Sequence, residues 1–297
     1  MKIIIDTDIG DDIDDAFAIE LALHSPELEI MGVTTVFRNA ERRAKIVEAL
    51  LDAESVNIPV YAGRDRPLGQ EIIRLVYEES VGRDADGQVS VPHYDPSFGK
   101  YEIKRGAEDF LLSQAEKYPG EITLLCLAPL TNVAAAYRKS PQSFAKFRRI
   151  VMMGGQANGD FAEWNFRCDP EAAKTVFDSG IPIKMVGINV TKHCSLGKRE
   201  IEEIFGWQSA GGKLLAKMLA KWLQDNRNEK LPVMHDPLAT AELTEGFCRY
   251  KVKCASVSLT GETRAMVCAG SNPVEMATEV DREKFIGYFF NRLRGLA

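Results

Sequence analysis

Short apolar runs alternate with segments of helical periodicity over the first two-thirds of the chain, and that alternation restricts it to a parallel sheet with helices on both faces. Residues 2–5, 29–35, 59–62, 122–127, 149–153 and 182–188 read as strands. Residues 15–24, 40–53, 106–117, 132–139 and 169–179 carry apolar side chains at helical spacing. Asp169-Pro170-Glu171 marks a helix start, with a capping Asp, Pro at the first helical position and an acid in the first turn; Gly180 marks its stop. The last third changes character. It predicts a long helix over 212–226, another after Asp236, a β-hairpin-like stretch over 250–267 and a closing helix over 281–296. The expectation is an α/β fold: a doubly wound, mostly parallel, Rossmann-like sheet with additional C-terminal helices and a small β-hairpin. No repeat, low-complexity segment or Pro/Gly/Ser-rich linker interrupts residues 1–297, so one domain is expected. Two weakly patterned stretches, 69–104 and 207–233, are long enough to hold lids over a pocket.

Composition excludes several classes. With 297 residues and 45% hydrophobic content the chain has ample material for a core. The net charge of -6 is spread along the sequence, which excludes nucleic-acid binding through a basic face. Only three apolar residues stand between Met1-Lys2 and Asp6, too few for a signal-peptide core, and no later apolar run approaches membrane-spanning length. A cytoplasmic location without membrane partners is expected. Cys126, Cys168, Cys194, Cys248, Cys254 and Cys268 form no C-x-x-C pair and read as reduced thiols.

In a doubly wound sheet, ligands bind beyond the carboxyl ends of the strands, so the residues after each strand locate the chemistry. Ile3-Ile4-Ile5 is followed by Asp6, Thr7, Asp8, Asp11, Asp12, Asp14 and Asp15 within ten residues. Six carboxylates so close repel one another unless something positive sits among them, and a hard cation answers that need. A helix N-terminus would account for Asp14 and Asp15 and leave the others unexplained. The second strand leads to Asn39, the fourth to Leu127 and Asn132, and the fifth to Met153-Gly154-Gly155 with Asn158, Glu163, Trp164 and Asn165 beyond. Polar groups gathered at one end of successive strands point to a single site.

At these residues the sequence resembles the inosine-uridine-preferring nucleoside hydrolase family. The likeness is carried by Asp-Thr-Asp-x-Gly with Asp14-Asp15-Ala16, by Gly32-Val33-Thr34-Thr35-Val36 leading to Asn39, and by Ile58-Pro59-Val60-Tyr61-Ala62-Gly63. It continues through Pro129-Leu130-Thr131-Asn132, Met153-Gly154-Gly155, Glu163-Trp164-Asn165, Asp169-Pro170-Glu171-Ala172-Ala173 and His235-Asp236-Pro237-Leu238-Ala239. The resemblance implies calcium-dependent hydrolysis of the N-glycosidic bond of ribonucleosides, with ribose and free base as products. It implies one calcium ion held by Asp8, Asp15, the Leu127 carbonyl and Asp236, an all-oxygen set that suits a large hard cation and not zinc. Asp8 would be the general base toward a metal-bound water, and His235 would protonate the departing base. Asn39, Asn158, Glu163 and Asn165 would hydrogen-bond ribose hydroxyls, with Asp12 or Asp14 on the other side of the sugar. Either Trp164 or Trp222 could stack on the base, and Trp164 is preferred because its sequence neighbours face the sugar in this reading. Family members are usually homodimers or homotetramers.

The chain departs from the family pattern in places. Ile9 stands where proline is usual, and the spacing from Gly10 to Asp14-Asp15-Ala16 is two residues longer than the common form. The second metal carboxylate is therefore Asp15 by motif, or Asp12 if the loop bulges differently. Asn158 stands one residue nearer to Glu163 than usual, and the His-Gly element after the third strand is missing, which leaves base preference open. Structural readings stand beside the functional ones. Asn132 reads as a turn former at a helix start, and His235 reads alternatively as a core or capping histidine. Two other functions fit parts of the pattern. A phosphohydrolase of the haloacid dehalogenase type would use Asp-x-Asp and Thr34-Thr35 but leave the Asn/Glu group and His235-Asp236 idle. A nucleoside- or ribose-binding protein without turnover would not need a base beside the metal.

Overall fold

The computed structural model describes residues 1–69, 82–84, 87–226 and 230–296. Its strands are β1 (Lys2–Thr7), β2 (Glu29–Thr35), β3 (Val60–Ala62), β4 (Lys104–Arg105), β5 (Ile122–Cys126), β6 (Arg149–Met153), β7 (Ile183–Val186), β8 (Cys248–Val257), β9 (Val267–Ala269) and β10 (Asn272–Val280). They form one sheet in the order β4-β3-β2-β1-β5-β6-β7-β10-β8-β9. The pairings from β4 through β7 to β10 are parallel, and β8 and β9 close the edge antiparallel. The expected doubly wound α/β sheet is present. The hairpin expected over 250–267 is seen as β8 and β9, which pair antiparallel, and β8 also pairs with β10, which joins the hairpin to the main sheet.

Central β1 is apolar on both faces, as a parallel strand covered by helices must be. Ile3 and Ile5 join one core with helices Asp14–Leu23, Ala40–Ala53, Ala210–Asp225 and Arg282–Arg292, and Ile4 joins the other with Ala107–Lys117, Thr131–Lys139 and Pro170–Phe177. Local chemistry sets the helix ends. Asp169 accepts from Ala172 N at 3.0 Å with Pro170 at the first position, as expected. Ser209 caps helix Ala210–Asp225 by accepting from Gly212 N at 2.9 Å. No helix among the described residues is long and apolar enough to cross a membrane.

Candidate active site

The acidic loop leaves β1 at its carboxyl end and feeds directly into helix Asp14–Leu23. Gly10 makes the turn possible: its φ is +121°, and a Cβ there would come within 2.4 Å of Val91 Cγ1. Asp6 sits beneath the loop, its Oδ1 accepting from Thr34 Oγ1 at 2.6 Å and Asn132 Nδ2 at 2.8 Å. Burial pushes that carboxyl up to about 7. Asn132 also donates to Thr35 O at 3.0 Å, so it clamps the ends of β1 and β2 and does not face the cavity.

The residue that organises the loop is Arg43, which the sequence reading missed. It is fully buried. Its Nε donates to Phe37 O at 2.7 Å, Nη1 to Asp8 O and to Ile9 O at 3.0 Å, and Nη2 to Asp11 Oδ2 at 3.0 Å. Phe37 and Arg38, at φ 72° and 54°, hold left-handed conformations rare for such side chains, and Arg38 Nη1 lies 3.7 Å from the same Asp11 carboxylate.

Above the loop opens a cavity of about 730 Å³, within the range of small-molecule sites. Asp8, Asp12, Asp14, Asp15, Leu127, Glu163, Trp164, Asn165, His235 and Asp236 all line it. Two segments far apart in sequence meet here, because helix His235–Ala241 packs on helix Asp14–Leu23 and Asp236 N donates to Asp14 Oδ2 at 3.2 Å. One carboxylate oxygen each from Asp14, Asp15 and Asp236 lies within 4.8 Å of the others, and all three residues are buried. Burial first, then the neighbouring carboxylates, holds Asp8, Asp14, Asp15 and Asp236 well above the usual carboxylate range. Buried carboxylates facing one another, with no His or Cys in the group, make a site that can hold a hard cation. Thr7 Oγ1 donates to Asp15 Oδ1 and so aims that carboxylate. Asp12 is exposed at the opening and accepts from Ile13 N at 2.7 Å.

On the other wall, Glu163 caps helix Trp164–Cys168, accepting from Asn165 N at 2.9 Å, Phe166 N at 3.3 Å and Gly155 N at 2.9 Å. Asn165 Nδ2 donates to Leu127 O at 3.3 Å and Met153 O at 3.2 Å, bridging the ends of β5 and β6. Trp164 is 46% exposed, whereas Trp222 is 6% exposed and also lines the cavity. His235 Nδ1 lies 2.6 Å from Thr191 Oγ1, and burial lowers its imidazole to about 4, so the ring is neutral at pH 7.

Two residues expected at the sugar lie elsewhere. Asn39 caps helix Ala40–Ala53, its Oδ1 accepting from Arg42 N at 3.3 Å and its Nδ2 donating to Val89 O at 3.3 Å. Asn158 is exposed in a turn whose backbone is held by Gln156 Oε1 at 2.5 Å. Neither lines the cavity. Both weakly patterned stretches do reach it, through Gly82, Ser90 and Pro92 from the first and Trp222, Asn226 and Lys230 from the second. Residues 70–81, 85–86 and 227–229 of those stretches lie outside the described residues.

Known proteins share this architecture. Residues 3–287 match the inosine-uridine preferring nucleoside hydrolases. Uridine nucleosidase 1 of Arabidopsis thaliana is 37% identical over 91% of this chain and 80% of its own length. The pyrimidine-specific ribonucleoside hydrolase RihA of Salmonella arizonae is 31% identical over 99% and 98%. Among solved structures, the plant nucleoside hydrolase PpNRh1 superposes with a TM-score of 0.81 at 29% identity, over 98% of each chain. The chain belongs to the inosine-uridine preferring nucleoside hydrolase family, whose relatives are enzymes that act on N-glycosyl bonds.

Proposed function

We propose that this enzyme hydrolyses the N-ribosidic bond of ribonucleosides, uridine among them, with a calcium ion held by Asp8, Asp15, Asp236 and the Leu127 carbonyl. The observation that carries the reading is the meeting of Asp14, Asp15 and Asp236 oxygens within 4.8 Å in a cavity that Asp8 also lines. Asp15, buried in that group, is the second metal carboxylate in preference to exposed Asp12. When bound, the cation supplies Lewis acidity that lowers the pKa of water in the cavity.

The chain's own groups perform the rest. Asp8 takes a proton from the attacking water as the ribosyl carbon gains oxocarbenium character. Asp12, Asp14, Asn165 and Glu163 hold the ribose hydroxyls; Glu163 Oε1 keeps a lone pair beside its contact with Asn165 N, whereas Oε2 already accepts from Gly155 N and Phe166 N. Trp164 offers a face to the base at the rim. His235 is neutral at pH 7, so it assists the leaving base as a hydrogen-bond donor from Nε2, with Thr191 fixing the ring through Nδ1. The phosphohydrolase alternative loses its phosphate contact, because Thr34 and Thr35 are fully buried and give their hydroxyls to Asp6 Oδ1 and Ala40 O, both at 2.6 Å. Six cysteines free of disulfides fit the cytoplasmic setting proposed here.

The test is ribose release from a panel of purine, pyrimidine and nicotinamide ribosides, run with Asp8→Asn alongside. At least one riboside is cleaved, and Asp8→Asn slows that cleavage by about 10²- to 10⁴-fold with an unchanged circular dichroism spectrum. Silence across the panel removes the proposal, and an unchanged Asp8→Asn rate removes Asp8 as base.

A further inference from the structure

A second acidic group lies away from the cavity, on the far turns of the same first helix. Glu20 is fully buried, and neither of its carboxylate oxygens has a hydrogen-bond partner among the described residues. A buried carboxylate left so is costly and calls for a proton or a cation. His24 follows one turn later, and Glu54, just past the end of helix Ala40–Ala53, faces both. One ligand atom from each of Glu20, His24 and Glu54 lies within 4.8 Å of the others. None of the three lines the cavity described above.

The histidine is set up as a ligand. His24 Nδ1 lies 3.2 Å from the Glu20 carbonyl oxygen, which can only accept, and 3.8 Å from Glu20 Oε2, so Nδ1 carries a proton and Nε2 is the nitrogen available to a metal. Nε2 lies 3.7 Å from Glu54 Oε2. An imidazole held by a backbone carbonyl through one nitrogen, with the other free, is the usual arrangement of a metal-ligating histidine. With bonds of about 2.0–2.2 Å, ligand atoms around zinc sit roughly 3–4.4 Å apart, close to the spacing found here. The surroundings leave room for them: at Gly211, in the first turn of helix Ala210–Asp225, a Cβ would fall 1.9 Å from Glu54 Oε1 and 3.4 Å from Glu20 Oε1. Among the described residues, neither carboxylate has a Lys or Arg partner within ion-pair distance.

We propose that Glu20, His24 and Glu54 form a second divalent-cation site, one that ties the first helix to the second. One imidazole and two carboxylates suit a first-row ion such as zinc or manganese better than calcium, which prefers oxygen alone. The alternative occupant is a proton on Glu20.

Zinc uptake decides between them. The full-length protein is stripped with chelator, saturated with calcium to occupy the acidic cavity, and dialysed against micromolar zinc; bound zinc is then measured by atomic absorption with thermal unfolding in parallel. The wild type holds one zinc per chain and gains thermal stability, whereas His24→Ala and Glu54→Gln lose at least tenfold in zinc affinity and gain none. Glu20→Gln, nearly isosteric, behaves like them and serves if either variant fails to fold. All three release ribose from nucleoside at the wild-type rate in calcium. Zinc uptake equal in wild type and variants, or none in the wild type, overturns the site and leaves a protonated Glu20.

Discussion

Arg43 offers the sharpest test of how the acidic loop is built. Replacing it with Met keeps much of the apolar stem and removes every hydrogen bond of the guanidinium. The carbonyls of Phe37, Asp8 and Ile9 then lose their donor in a buried setting, and Asp11 loses one of two nearby cations. Each buried carbonyl left unpaired costs about 1–3 kcal/mol. Asp11 is partly exposed and can turn to water, so the carbonyls dominate. Packing of the Met side chain offsets part of that loss, which leaves a destabilisation of about 3–5 kcal/mol, or roughly 10 °C in melting temperature for a chain of this size. Urea unfolding in chelator, where no bound ion masks the loop, measures it directly. Arg43→Lys restores the charge without the planar fork, reaches at most two of the acceptors, and falls between wild type and Met. A Met variant within 1 kcal/mol of wild type, or a Lys variant equal to it, would refute the claim that this guanidinium organises the loop.

Two further outcomes concern His235 and His93. His235→Ala slows cleavage of natural nucleosides by about 10²-fold while costing little with a nitrophenyl riboside, whose leaving group needs no assistance; equal losses on both substrates argue against a leaving-group role. His93, 5% exposed and without a ring hydrogen-bond partner among the described residues, is lowered from 6.5 to about 4 chiefly by burial. Its unfolded form binds more protons below pH 6.5, so its contribution is full above that value and is lost as pH falls toward 4. Between pH 7 and pH 5 the wild type therefore loses about 2 kcal/mol more than His93→Leu, and parallel urea midpoints for the two proteins would contradict this.

Strands and helices of the parallel half were legible because each apolar run is bounded by its own turn chemistry, and helix Ala40–Ala53 falls where its spacing places it. β10 was not. The expected hairpin ends at 267 and the expected closing helix begins at 281, and only pairing with β7 and β8 makes the segment between them a strand. The carboxylates of the cavity were legible because six aspartates after one strand demand an explanation. Arg43 was hidden, since Glu41-Arg42-Arg43 at a helix start reads as solvent-facing charge and its burial is decided by a loop thirty residues away. Asn39 misled for the opposite reason: a strand-end Asn that precedes a helix is as good a cap as a sugar contact, and here it caps.

Ribose release from a cleaved riboside such as uridine, followed on chelator-stripped protein before and after calcium is returned, reaches the core of the account. No ribose appears before calcium and turnover resumes once about one equivalent is bound, with Asp236→Asn failing to recover. Full-rate release in the presence of chelator would contradict it.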